Sequence, residues 1–255
     1  DITGNFGVRY ANTEVEGASH SGYEYPSNTF FDEEGNEITI LTTPVSDEHD
    51  YAEFLPSFTI NYLATDEIVL RASAARVLAR PNIDSLNPNF RLNSKNENAV
   101  PTASGGNTQL EPFLADQFDL SAEWYFEEGA LLSAAFFYKD FKSYTYSSSV
   151  SRQFTNPIDG NCIVDRSGLP EEEQPTATEP CADVSYGTTV NGATADIHGL
   201  EFGYQQSYDF LPSIFKHLGS SVNYTYADSE AIVDPENPDS AFNGLPFINT
   251  SKHSA

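Results

Sequence analysis

The chain has 255 residues, with 12 Lys and Arg against 38 Asp and Glu and a formal net charge of −26. Such a charge repels phosphate backbones and excludes nucleic acid as a partner. With 14 Tyr and 18 Phe it is too aromatic for a disordered acidic segment, and no apolar run approaches the ~20 residues of a membrane-spanning helix.

The first residues read as a strand, Ile2 to Glu16, in which Phe6, Val8 and Tyr10 oppose Asn5, Gly7 and Arg9. A long acidic connection is expected from Gly17 to Asp50. Tyr51 to Leu63 is the second strand, with Phe54, Phe58, Ile60 and Tyr62 on one face. Glu53, Ser57, Thr59 and Asn61 form the other. The turn Ala64-Thr65-Asp66-Glu67 is short, and Ile68 to Arg80 runs back until Pro81, which cannot extend a ladder. Two residues strain this scheme. Pro56 and Arg76 both fall on the apolar face, Arg76 near one rim unless a bulge shifts the register.

Asn82 to Pro112 reads as a second long connection, rich in Asn, Pro, Gly and Ser. Then comes the clearest hairpin, FLADQFDLSAEWYFEEGALLSAAFFYKDF, from Phe113 to Phe141. Phe118, Leu120, Ala122, Trp124 and Phe126 alternate with Gln117, Asp119, Ser121, Glu123 and Tyr125, and the arms meet at Glu127-Glu128-Gly129. A loop follows from about Ser147 to Ser185 and carries Cys162 and Cys181. Two cysteines within one loop read as a disulfide and an oxidising compartment; two unpaired thiols are the bland alternative. His198 to Tyr208 sets Phe202 and Tyr204 against Glu201 and Gln205. Lys216 to Asp228 sets Val222 and Tyr224 against Asn223. A last partial strand is expected near the final residues. The chain opens and closes inside strand-like sequence and reads as an internal piece of a longer protein.

Connections therefore alternate long and short along the chain. In an antiparallel sheet this gathers the long loops at one end and the short turns at the other, as in outer-membrane barrels. Aromatic residues near strand ends suit an interfacial girdle. The fold class expected is all-β, an antiparallel up-and-down transmembrane barrel. Phe54, Phe58, Ile60, Tyr62, Phe118, Leu120, Trp124, Phe126, Phe202, Tyr204, Val222 and Tyr224 would face lipid. Arg9, Glu53, Thr59, Asn61, Gln117, Asp119, Glu123, Glu201, Gln205 and Asn223 would face the lumen. A soluble β protein with an inward apolar face stays open as the alternative.

The stretches YAEFLPSFTINYLATDEIVLRASAARVLARPN, NTQLEPFLADQFDLSAEWYFEEGALLSAAFFYKDF and HGLEFGYQQSYDFLPSIFKHLGSSVNYTYADSE, with the terminal SKHSA, resemble the barrel of TonB-dependent outer-membrane receptors. They look most like the subgroup common in sphingomonads, Caulobacter-like bacteria and marine gammaproteobacteria. The resemblance implies a 22-stranded barrel with an N-terminal plug, coupled through a TonB box to the TonB–ExbB–ExbD complex. Residues 1–255 would supply about eight of those strands, without plug, TonB box or closing strands, and could not close a barrel alone. It further implies a Gram-negative outer membrane as location, with outer-membrane lipid and lipopolysaccharide as neighbours. The ligand would be an oligosaccharide, or alternatively a ferric siderophore. A soluble carbohydrate-binding module is the competing class.

No catalytic constellation is legible, and the chain is not read as an enzyme. His20, His49, His198, His217 and His253 are scattered without metal-ligand spacing, and there is no phosphate loop or nucleophile elbow. Acidic runs at Asp32-Glu33-Glu34, Asp47-Glu48 with Asp50, Glu171 to Glu173, and Asp234, Glu236 and Asp239 offer oxygen ligands for Ca²⁺. A solvated acidic surface is the favoured reading, and no cofactor is expected. Loop aromatics Tyr23, Tyr25, Phe30, Phe31 and Phe90 could stack on a ligand, or pack the loops against one another.

Overall fold

Strand alternation extends further than hydropathy alone suggests. The structure, a computed structural model, describes residues 1–25, 30–94, 99–165, 181–233, 243–247 and 251–254. β1 (Ile2–Glu24) and β2 (Ile40–Leu63) pair along their whole length, from Ile2 with Tyr62 to Glu24 with Ile40. The connection expected over Gly17 to Asp50 is thus mostly strand, and only residues 25–39 join the two. Its polar sequence concealed this, although β-branched Thr42, Thr43 and Val45 suit a ladder whatever their polarity.

β3 (Ile68–Ala79) returns antiparallel to β2, and β6 (Phe113–Glu127) and β7 (Ala130–Arg152) form the long hairpin. Gly129 turns it with φ 73°, a left-handed conformation that side chains with a Cβ resist. β8 (Val184–Ser207) and β9 (Gly219–Ile232) continue the meander, and β10 (His253–Ser254) pairs with β9. β8 begins 14 residues ahead of the expected His198.

The stretch from Asn82 to Pro112 is more than a connection. A 3₁₀ turn (Ile83–Leu86) precedes two short strands, β4 (Phe90–Asn93) and β5 (Thr102–Gly105). β4 runs parallel to the end of β1, and β5 runs parallel to the start of β8. The order β8-β5-β4-β1-β2-β3-β6-β7, with β7 also paired to β8, is a closed ring of eight strands. β9 and β10 extend from β8 outside that ring. The expectation that these strands could not close is corrected here: short strands from a long connection bridge the gap at the long-loop end.

Pro56 also finds its place. The β2–β3 ladder stops at Ser57 with Ala75, one residue before the missing N–H, while Val8 pairs with Pro56 on the other side. At Gly192 (φ 128°) buried positions on β8 switch parity, from Val184, Tyr186 and Thr188 above to Ala193 and Ala195 below. Shifts in the β7–β8 register around Tyr144 mark the same bulge.

Candidate functional site: the two faces of the wall and the cavity above it

Cross-strand pairing assembles the outer face row by row. Ile60, Ala72, Leu120, Phe136, Leu200 and Tyr226 are successive neighbours on six strands. Tyr62, Leu70, Ala122, Ala134, Phe202 and Tyr224 form the row below. Lower still, Trp124 stands in line with Leu132, Tyr204 and Val222. These side chains are open to the surroundings: Phe54 is 62% exposed, Val222 60%, Trp124 46%. Such a contiguous apolar face has no place in water. At its lower margin Trp124 packs on Phe126 at 5.3 Å and its Nε1 donates to Glu67 Oε2 at 3.4 Å, an amphipathic pair suited to a membrane interface.

The upper margin of this face climbs across the sheet. Its last apolar residues are Tyr226 on β9 and Leu200 on β8, Tyr138 on β7 and Phe118 on β6, then Phe54 on β2 and Tyr10 on β1. From β9 to β1 the margin rises six residues, about 20 Å at ~3.3 Å each, over six interstrand spacings of ~4.8 Å, about 29 Å in all. A level boundary crossing strands tilted by roughly 35° gives this staircase, and spanning strands tilt by 35–45°. Above the margin the rows turn polar: Arg76, Asp116, Asp140, Asp196 and Glu230 are cross-strand neighbours. Arg76 pairs with Asp116, Lys142 with Asp140, and Lys252 with Asp228. Arg76 thus lies on the outer face at its rim, with no shift of register.

The inner face carries the opposite set. Asn5, Thr59, Ser73, Asp119, Phe137 and Gly199 form one row. Thr3, Asn61, Arg71, Ser121, Ala135, Glu201 and Thr225 form the next. Arg71 pairs with Glu123, which also accepts from the Tyr125 hydroxyl at 2.6 Å. Ser73 donates to Asp119 at 3.1 Å. Arg9, Glu53, Gln117, Gln205 and Asn223 share this parity.

Above the membrane band the long loops build a small core of their own. Tyr23, Tyr25, Leu92, Phe154, Ile163, Val184 and Tyr186 are buried together, with Phe30 and Phe90 packed against them. Four of the five loop aromatics singled out in the sequence therefore hold the loops to one another, while Phe31 is 54% exposed. Burial disfavours the phenolate and pushes the pKa of the Tyr23, Tyr25 and Tyr186 hydroxyls above the ordinary tyrosine value. Tyr25 donates to Asn156 Oδ1 at 2.9 Å. The Cys162–Cys181 disulfide pins the same cap, flanked by single bridges of Thr155 with Cys162 and Val164 with Cys181.

Beneath this cap lies a cavity of about 630 Å³ between β2, the β3–β6 connection, β7 and β8. Gln109 donates from Nε2 to Asp47 Oδ2 (3.1 Å) and Glu48 O (3.0 Å), tying the connection to β2. Asn107 donates to Thr189 O (3.0 Å) and Tyr186 to Gly106 O (2.7 Å), tying it to β8. The Arg152 guanidinium stands over Phe154, Tyr186 and Phe90 at 5.1, 5.7 and 5.9 Å. Sequence reasoning missed Arg152, because its three rings come from β4, from β8 and from just beyond its own strand.

The acidic runs divide. Asp32 is used by its own turn, accepting from the backbone of Glu34 and Asn36 and from Asn36 Nδ2. Asp47 and Glu48 hold Gln109. Glu171 to Glu173, with Asp234, Glu236 and Asp239, lie outside the described residues. Among the described residues no three His, Cys, Asp or Glu side chains are grouped to hold a metal ion.

An antiparallel wall with an apolar outside, a polar inside and a capped cavity at one end is a transmembrane β-barrel of the outer-membrane type. The family model described as TonB dependent receptor-like, beta-barrel matches residues 1–255, and the chain belongs to that family. This is a family of outer-membrane receptors in Gram-negative bacteria. No curated protein matches the chain. Among solved structures it is similar to a variant of the ferric enterobactin receptor of Pseudomonas aeruginosa, at 18% identity and TM-score 0.46, over 75% of this chain and 27% of that one. The siderophore receptor PirA of Acinetobacter baumannii matches at 14% and 0.45, over 88% and 31%. A double mutant of the Serratia marcescens hemophore receptor HasR, in complex with its hemophore and heme, matches at 11% and 0.40, over 89% and 31%. The chain spans about a third or less of the length of these receptors.

Proposed function

We propose that this chain forms part of the wall of an outer-membrane receptor that imports a bulky nutrient with energy delivered by the TonB–ExbB–ExbD complex. The coupling is carried by a plug and TonB box outside residues 1–255, and outer-membrane lipid with lipopolysaccharide surrounds the apolar face. The staircase margin from Tyr226 to Tyr10 carries this reading. A soluble module has no reason to align the edge of an exposed apolar face with one tilted plane.

The substrate is an oligosaccharide, with a ferric siderophore as the alternative. The resemblance of the motifs to the sphingomonad-type subgroup supports the first, and a cavity with both polar and apolar lining suits either. Uptake of labelled candidates by cells carrying the receptor, with and without TonB, tests the proposal. Accumulation that needs both is the expected result, and equal accumulation without TonB overturns it. Recovery of the receptor from the soluble periplasm would favour a soluble carbohydrate-binding module instead.

A further inference from the structure

We infer that the lipid-facing wall carries a site for one phospholipid molecule, held by an acyl chain in a groove of the outer face and by an ammonium head group at the short turns. The inference names one particular lipid neighbour within the proposed function. It rests on the membrane part of that reading and not on the substrate or the energy coupling.

The groove comes from the strand register. Ala72 on β3 stands one row above Ala122 on β6 and Ala134 on β7, so three short side chains lie together among long ones. With Leu120, Phe136 and Phe202 beside them they line a space of about 500 Å³. That volume falls within the ~300–1,000 Å³ of small-molecule sites. The groove keeps to two rows ~6.6 Å apart and crosses five strands, about 19 Å at ~4.8 Å per spacing. Because the membrane plane cuts the rows obliquely, a groove along the rows climbs through the bilayer. It starts at Tyr62, beside the β2–β3 turn, and ends at Leu200, the last apolar residue on β8.

These dimensions choose the occupant. A helix ~10 Å across does not enter a channel of this width, whereas a single hydrocarbon chain does. Lipid tails are as apolar as leucine, so burying one here brings no hydrophobic gain; retention depends on close filling of the space and on the head group. Charge then selects the head. The β2–β3 turn supplies Asp66 and Glu67 and the β6–β7 turn Glu127 and Glu128, with no Lys or Arg in either. The hydrogen bond from Trp124 places Glu67 on the outer side. Lys216 belongs to the β8–β9 connection, four strands from Tyr62. A primary ammonium meets carboxylates at this end, and an anionic head is repelled. At the upper end Asp116, Asp140, Asp196 and Glu230 stand with Arg76, Lys142 and Lys252, each already paired. Lipopolysaccharide phosphates are the poorer fit there.

The test is native mass spectrometry of the whole receptor, released from outer membranes in mild detergent and titrated with phosphatidylethanolamine, phosphatidylglycerol and phosphatidylcholine. The first should be held about 5- to 10-fold more tightly than the second, with the third between them. Ala122→Leu and, separately, Ala134→Leu fill the groove with a side chain that a lipid-facing position accepts. Each should weaken phosphatidylethanolamine about 10-fold. Asp66→Asn with Glu67→Gln, whose amide still accepts from Trp124, should keep lipid binding but bring the first two lipids within about 2-fold. Equal affinity of the parent for all three lipids overturns the inference. So does retained lipopolysaccharide or a receptor dimer in place of the phospholipid, or groove-filling variants that bind like the parent. In each of those cases a receptor found in the membrane leaves the proposed function intact. Recovery from the soluble periplasm would overturn both.

Discussion

Arg76 and Asp116 stand directly opposite each other on β3 and β6, with Nε 2.7 Å from Oδ1 and Nη2 2.9 Å from Oδ2. This two-pronged pair lies on the outer face one row above Phe118 and Ala74, where the wall passes from apolar to charged. Both side chains stay more than a third exposed, so the pair itself is worth at most ~1 kcal/mol. Its value is as a depth marker. Asp116→Asn should cost little, whereas Ala72→Arg, two rows deeper, should cost ~2–4 kcal/mol. Denaturant titration of the receptor in lipid vesicles separates the two. Equal costs would mean that the apolar margin has been misplaced.

Trp124 is the single tryptophan of the chain, which makes its depth readable within this segment. Its exposure on the outer face and its hydrogen bond to Glu67 put it at the short-turn interface. In a receptor whose other tryptophans are replaced, phospholipids brominated near the headgroup should quench Trp124 more strongly than those brominated at the chain end. Indifference to both lipids would place it inside the lumen.

Gly199 has no room for a side chain. A Cβ there would sit 2.5 Å from the Phe137 ring and 2.2 Å from the Tyr226 carbonyl oxygen, and only the ring can move. Gly199→Ala should destabilise the wall by ~1–3 kcal/mol, and Gly199→Val by more. Loss of the heat-modifiable band in gel electrophoresis would report it. Substitution of Gly22, which meets nothing within 4 Å, is the matched control.

Breaking the Cys162–Cys181 bond removes a constraint spanning 19 residues, worth about 3 kcal/mol in the chain-entropy account. The loss should be confined to the cap. Cys162→Ser with Cys181→Ser is expected to expose residues 153–165 and 181–183 to protease while the strands below stay protected. Cleavage spreading into β7 and β8 would show that cap and wall unfold together.

Buried tyrosines make the cap sensitive to base. Tyr25 is raised by burial and then by its neighbours Tyr23 and Asp159, and Tyr23 and Tyr186 are raised chiefly by burial. A raised value favours the neutral phenol in the folded protein. Its stabilising contribution is therefore complete below the ordinary value near 10 and is lost as pH climbs through the folded value. Tyrosine absorbance near 295 nm should show a late-ionising group that titrates as the cap becomes protease-sensitive. A single midpoint near pH 10 for all tyrosines would sink this account.

Much of the wall is written locally. Alternation over Phe113 to Phe126 defines a strand and its two faces, since period two needs only neighbouring residues. Glu128-Gly129 marks its turn, and Cys162 and Cys181 declare their bond by sharing one loop. Contacts between distant segments decided the rest. Whether Gly17 to Glu24 is strand depends on partners at 40–47, and ring closure depends on β4 and β5 lying parallel to strands far along the chain. The parity switch at Gly192 needs the β7 register to be seen. Arg152 looks like any loop arginine until the fold brings Phe90 and Tyr186 beside Phe154. Periodicity tells a strand which way its side chains point, but only pairing across the sheet tells it what they meet.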